Sequence, residues 1–293
     1  MGVTIYYILI VLAALGCAVN FALTKVYQIK QGNTMETGVV FNCLVGLVGT
    51  ILYFAICGFK VEVTFFSFVM ALLSTLFVGL YTMVGFKIMS IGSVAIYTIF
   101  LMLGGMILPY FYGLVFLDEK ITVMKVVALV IMTIAIVLQG SGDKKKGKAL
   151  FYILCVAVFI LNGGTSIVSK VHQIDAGYRV VSTNGFVLLK NIMMFLLYGA
   201  MIPFVSKDKK KAFAIRPVIY LVIVLSALIS SVSYMLQLVC STYLPATVQF
   251  PVMSGGTIVF TALLGLICFK ESINKRQILS LILCAVSSFL FIV

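Results

Sequence analysis

One residue in this chain sits where ordinary packing gives it no reason to be: Lys190, inside the apolar run FVLLKNIMMFLL. An ammonium group at the centre of a membrane-spanning helix costs roughly 2.5–3.5 kcal/mol on insertion scales. About ten residues flank it on each side within its run, which makes snorkelling to the surface hard. The alternative is a cation facing an internal cavity. There it could pair with a substrate carboxylate or phosphate, or carry a coupling proton. Asn184 and Asn191 stand seven apart, hence on one helical face, and could orient the same ligand. Between residues 226 and 241 lies a second constellation: Ser226, Ser230, Ser233, Gln237 and Ser241, with Tyr234 beside them. Their spacing of three and four puts them on one side of a helix. In lipid such a face must look inward, as cavity lining or as interhelical glue. The amides of Asn20, Asn42 and Asn162, which offer donors and an acceptor to uncharged or zwitterionic ligands, complete the substrate-binding candidates together with Tyr81, Tyr97 and Gln249. No Ser–His–Asp set, phosphate-binding Gly-rich loop or metal-ligand cluster is present. His172 is the only histidine and reads as a loop residue without chemistry. The expectation is therefore neither an enzyme nor an ATP-driven pump, with no cofactor and no metal.

The elements that must hold these residues follow from composition. Of the 293 residues, 63% are hydrophobic and 10% charged, whereas a soluble domain is about half apolar and a quarter charged. That surplus cannot be buried in one core, so lipid must solvate much of it. The apolar runs are continuous, not alternating, which favours helices over a barrel. The hydrophobicity pattern predicts ten spans: 4–24, 38–58, 64–86, 91–116, 121–139, 149–169, 180–204, 217–240, 243–269 and 273–293. All eight acids and 20 of the 21 basic residues fall in loops or at span ends, Lys190 being the exception. The net charge of +13 thus points to anionic lipid headgroups and membrane orientation, not to nucleic acid. The seven cysteines form no CxxC pair and read as small packing residues.

An internal repeat organises the chain. Thr24-Lys25-Val26-Tyr27-Gln28-Ile29 returns 145 residues later as Ser169-Lys170-Val171-His172-Gln173-Ile174. Phe116-Leu117-Asp118-Glu119-Lys120-Ile121 returns 152 residues later as Cys268-Phe269-Lys270-Glu271-Ser272-Ile273. Tyr97 and Gln249 occupy matching positions, as do Tyr81 and Tyr234, while Lys190 matches Val45. Residues 1–140 and 149–293 then form two five-helix units joined by a basic linker at 141–148. Because five is odd, the second unit enters the membrane from the opposite side. The expected fold is an all-α integral membrane protein of ten transmembrane helices as two inverted five-helix repeats, an architecture common in secondary transporters.

The layout, together with the ends of the two units, LDEKITVMKVVALVIMTIAIVL and FKESINKRQILSLILCAVSSFLFIV, resembles the EamA-type transporters of the drug/metabolite transporter superfamily over nearly the whole chain. That family usually has Gly before the Glu of this motif, where Asp118 and Lys270 stand here. It often has Pro in mid-helix, where Gly104-Gly105 and Gly255-Gly256 stand, with Pro109 and Pro251 displaced. The glycine pairs could be close-packing sites or unwound backbone lining the substrate site. Glu119 and Glu271 read as acids favoured by the dipole of the helix that follows them. The resemblance implies a multi-pass carrier in the cell membrane. With no carboxylate inside any span, the expected substrate is a small polar metabolite, neutral, zwitterionic or anionic, such as an amino acid. A coupling ion, a proton or an exchanged metabolite, is the remaining partner beside substrate and bilayer. Cationic-drug efflux and a non-transporting structural or regulatory subunit are the alternatives. Fifteen basic residues lie on one side and five on the other. The charge count places both termini outside, whereas the resemblance implies cytoplasmic termini.

Overall fold

The computed structural model describes residues 4–32, 34–91, 94–139, 149–174, 177–206, 217–270 and 273–292. Among them the chain is all helix, without strands. In order the helices are α1 (Thr4–Gln31), α2 (Met35–Ile56), α3 (Phe65–Ile91), α4 (Val94–Phe116), α5 (Val123–Gln139), α6 (Ala149–Ile174), α7 (Thr183–Val205), α8 (Pro217–Tyr243), α9 (Ala246–Phe269) and α10 (Lys275–Ile292). Nine are long and apolar enough to cross a membrane. The tenth, α5, has 17 residues, about 25 Å at 1.5 Å per residue, the lower end of the spanning range. The chain is a multi-pass helical membrane protein. Its outer surface agrees: Ile51, Ile153, Leu196 and Ile282 are all more than half exposed, as lipid-facing side chains must be.

Each of the ten apolar spans coincides with a helix, but several helices run past them. Both copies of the repeated hexapeptide, read as leading out of the membrane, are the last turns of α1 and α6. No Gly or Pro interrupts either before Gly32 or Ile174, so helix propensity carries the backbone beyond the apolar run. His172 is therefore helical, not a loop residue. Two capping devices set later starts. Thr34 and Thr37 form a reciprocal capping box on α2, and the Ser182 side chain accepts from Gly185 N–H at the head of α7.

The most extensive packing joins α2 to α7, α1 to α8, α4 to α6 and α5 to α10. Further contacts join α3 to α6, α1 to α9, α9 to α10, α4 to α9, α3 to α7 and α2 to α8. Helices α5 and α10 run antiparallel: Ser287 donates to Ala128 O at 2.6 Å, and Ser280 donates to Ala135 O at 2.7 Å. The glycine pairs are packing sites within unbroken helices, not unwound segments. A Cβ on Gly104 would run into the Phe159 carbonyl oxygen of α6. One on Gly255 would run into Met132 Cε, and one on Gly256 would stand 3.0 Å from Ala14 Cβ. Helix α9 continues through its pair from Ala246 to Phe269, with Pro251 inside it.

Both residues that stand where the EamA motif has Gly are left-handed: φ is +50° at Asp118 and +53° at Lys270. That region costs a side chain roughly 1–2 kcal/mol, and glycine nothing. Glu271 lies outside the described residues, as do the linker at 141–148 and the basic stretch at 207–216.

Candidate functional site

The Lys190 ammonium lies 3.4 Å from the centroid of the Tyr234 ring, joining α7 to α8 through a cation–π contact. The Tyr234 hydroxyl stands 2.8 Å from Ser169 Oγ of α6. Ser169 spends its own proton on Thr165 O at 2.9 Å, so Tyr234 donates to Ser169. The phenol oxygen thus keeps acceptor capacity beside an ammonium with three donors. Helix interiors supply no carboxylate to this cation: among the described acids, Glu36 lies in the first turn of α2 and Glu62, Asp118 and Glu119 lie in connectors. Lys190 and Tyr234 each keep some accessible surface, although their helices are core elements. Cys17 of α1 is within electrostatic reach of Lys190, and Tyr81 of α3 is within reach of Cys17, Tyr97 and Tyr198. Residues from α1, α6, α7 and α8 therefore meet near Lys190, which has no carboxylate partner among the described residues.

The structure divides the polar stripe of α8. Ser230, Tyr234 and Gln237 share one partly exposed face toward Lys190. Ser233 is 2% exposed and packs on α1, where a Cβ on Gly16 would overlap its hydroxyl. Ser226 and Ser241 are fully buried. The five residues are thus not one cavity wall, because the close α1–α8 contact takes the Ser233 side of the helix.

The amides also separate. Asn191 does not share the Lys190 side of α7: it is buried, donates to Ser231 Oγ at 3.2 Å and lies against Gly49 of α2. Residues adjacent on a helix point about 100° apart, so the turn that aims Lys190 at Tyr234 aims Asn191 at the α2 interface. Asn184 is the second residue of α7, not an interior position. Asn162 donates to Leu101 O at 2.7 Å and ties α6 to α4. Asn42 donates to Gly38 O of its own helix at 2.9 Å. Asn20 keeps a buried Oδ1 without a donor. Tyr97 and Gln249 do not share a cavity. Tyr97 presses its hydroxyl toward Gly85 and packs within α3, α4 and α6. Gln249 is fully buried and donates to Gln237 O at 2.9 Å and Ser241 Oγ at 2.7 Å, joining α9 to α8.

Three polar features escaped the sequence reading. Ser169 positions Tyr234; its only signal was its place in the repeated hexapeptide. Lys170, 4% exposed, donates to Ser241 O at 2.7 Å and Leu244 O at 2.6 Å, capping the end of α8. Glu119 does not serve the helix that follows it. Its carboxylate accepts from Ala246 N–H at 2.6 Å and Thr247 N–H at 2.8 Å, capping α9. The left-handed Asp118 turns the chain so that Glu119 points across to α9 instead of along α5. Apart from this group, a pocket of about 460 Å³ lies among α1, α4, α5, α9 and α10. Phe21, Thr98, Gln139, Thr257, Thr261 and Gln277 line it with apolar residues, and none of the sequence candidates does.

No protein-family model and no curated protein matches this sequence. Among solved structures, one described only as "Crystal structure of protein" superposes with a TM-score of 0.74 at 12% identity, covering 96% of this chain and 95% of that one. At that identity the likeness shows a shared fold and nothing about activity.

Proposed function

We propose that this chain is a secondary carrier of the cell membrane, an EamA-type member of the drug/metabolite transporter superfamily. It would move a small neutral, zwitterionic or anionic metabolite, such as an amino acid, by alternating access between two inverted five-helix repeats. The observation that carries the reading is Lys190, a cation within a spanning helix whose contact is the face of Tyr234. A cation–π contact supplies about 2 kcal/mol when desolvated. That does not replace the hydration of an ammonium, so an anionic substrate group is the natural counter-charge.

The helix pairings support the two-repeat reading. Exchanging α1–α5 with α6–α10 turns the α1–α8 pair into α6–α3, α1–α9 into α6–α4 and α2–α8 into α7–α3, and all of these pairs touch. The corresponding helices α5 and α10 are antiparallel, as inversion requires. The ends of the bundle differ. Glu119 and Lys170 clamp the α8–α9 turn at the start of α9, while the 460 Å³ pocket lies along the opposite half of that helix.

Flux into proteoliposomes from a panel of labelled amino acids and small carboxylates tests the proposal. Lys190→Gln should abolish flux and Lys190→Arg should retain part of it. A wild-type rate for Lys190→Met across pH would refute the role of the cation. No flux for the wild-type protein with any anionic, zwitterionic or cationic solute would favour a structural or regulatory subunit.

A further inference from the structure

His172 is 1% exposed in the last turn of α6, between aromatic faces. Its ring stacks on Phe186 of α7 at 3.7 Å and on Phe66 of α3 at 6.2 Å, and Tyr178 of the α6–α7 connector stacks on Phe66 at 4.6 Å. Both ring nitrogens are engaged. Nε2 lies 2.9 Å from Ser67 Oγ, and Nδ1 lies 2.9 Å from the Gln173 side-chain amide. Ser67 Oγ already receives Val181 N–H at 3.1 Å and the Thr64 hydroxyl at 2.8 Å. Those two donors fill its lone pairs, so its own proton must go to Nε2. The network thereby selects a neutral imidazole with its hydrogen on Nδ1. This tautomer requires the Gln173 amide to exchange its two ends: its nitrogen faces Nδ1 and its oxygen accepts from the Thr183 hydroxyl at 3.1 Å, and the exchange gives Nδ1–H an acceptor and Thr183 a donor without moving the side chain. This one ring holds together the start of α3, the end of α6, the connector and the start of α7.

We propose that His172 is a proton-operated latch at this end of the bundle. A proton added at Nε2 makes that nitrogen a donor, so Ser67 must turn its hydrogen away and release Val181 N–H or the Thr64 hydroxyl. It also puts a charge into a site where no carboxylate among the described residues pairs with it; Asp175, in the same connector, lies outside those residues. The charged and titratable groups on the surrounding elements are Lys170, held by the α8 carbonyls, Arg179 and Tyr178 in the connector, Glu62 ahead of α3, and Lys190 on α7. None of these makes a described ion pair with His172. Lys190 lies one turn beyond Phe186, and Ser169 lies one turn before His172. The added positive charge therefore acts on the same group that surrounds Tyr234.

The internal repeat makes the inference specific to one end. The repeat mates of His172 and Phe186 are Tyr27 and Phe41, whose rings also pack together, at 4.5 Å. Their surroundings, Val45, Ile219 and Ile223, are apolar. The fold builds the same aromatic joint at both ends and places an imidazole in only one of them.

The chain has no tryptophan, so Phe66→Trp places a single indole against the imidazole. In purified protein carrying that substitution, acidification from about pH 7.5 to about pH 3, low enough to charge a buried imidazole, should change the indole emission in one step. Acrylamide quenching should rise about two-fold as the connector is released. The step should vanish when His172→Tyr, which copies the joint at the other end, or His172→Gln is added, with far-ultraviolet circular dichroism unchanged in all three proteins. The latch is overturned if both additions keep the step, if none appears with His172 present, if quenching does not rise with it, or if it coincides with loss of helix.

Discussion

The clamp on the α8–α9 turn makes a demand that can be measured. Glu119 comes from the first repeat and Lys170 from the second, yet both hold the same turn: one satisfies the first N–H groups of α9, the other the last carbonyls of α8. Glu119→Gln keeps the shape but offers one acceptor where there were two, and presents an N–H₂ to a backbone N–H. The loss is one charge-assisted hydrogen bond, about 1.5–3 kcal/mol. The favourable charge at a helix N-terminus, about 0.3–1 kcal/mol, goes with it. Together these come to about 2–4 kcal/mol. At about 2–4 °C per kcal/mol for a chain of this size, the melting temperature should fall by roughly 4–16 °C. Lys170→Met strands two buried carbonyls and should cost about as much. Because both variants release one turn, the double variant should fall well short of the sum, with a coupling of about 1–3 kcal/mol. Thermal unfolding of the four proteins in one detergent decides it. A Glu119→Gln variant within about 0.5 kcal/mol of wild type, or strict additivity, would refute the clamp.

Three further outcomes follow from the packing. Ser230→Leu and Gln237→Leu should impair transport with normal expression, while Ser233→Leu should fail at the folding stage, since it has no room beside Gly16; proteoliposome flux and expression yield separate the two effects. Gly104→Ala should destabilise by about 1–3 kcal/mol, because its methyl meets backbone and not a side chain that can swing away; thermal unfolding reads this directly. Lys270→Gly should raise the melting temperature by about 2–4 °C by relieving a left-handed side chain, and Asp118→Gly should do so by less, since Asp tolerates that region better.

What the sequence determined by itself was everything that depends on the solvent a residue meets. Runs of apolar residues fixed where helices form, and the exclusion of acids from those runs left Lys190 as the one exposed contradiction. The repeated hexapeptide and the two Glu motifs are the sequence's grounds for proposing which helices correspond. What it could not determine was direction around each helix. Lys190 and Asn191 are neighbours in sequence, and only the α2–α7–α8 packing sends one to Tyr234 and the other to Ser231 and Gly49. The polar stripe of α8 looked like one wall because spacing alone cannot say that α1 covers Ser233. Glu119 looked like a cap for its own helix because dipole arguments run along the chain, whereas the left-handed Asp118 aims it at a helix 127 residues away. His172 looked inert as a lone histidine, since its meaning lies in Ser67, 105 residues earlier. Hydrophobic periodicity is a local property and is written locally. Which polar atom meets which is set by helix rotation and crossing, decided only when ten helices compete for the same contacts.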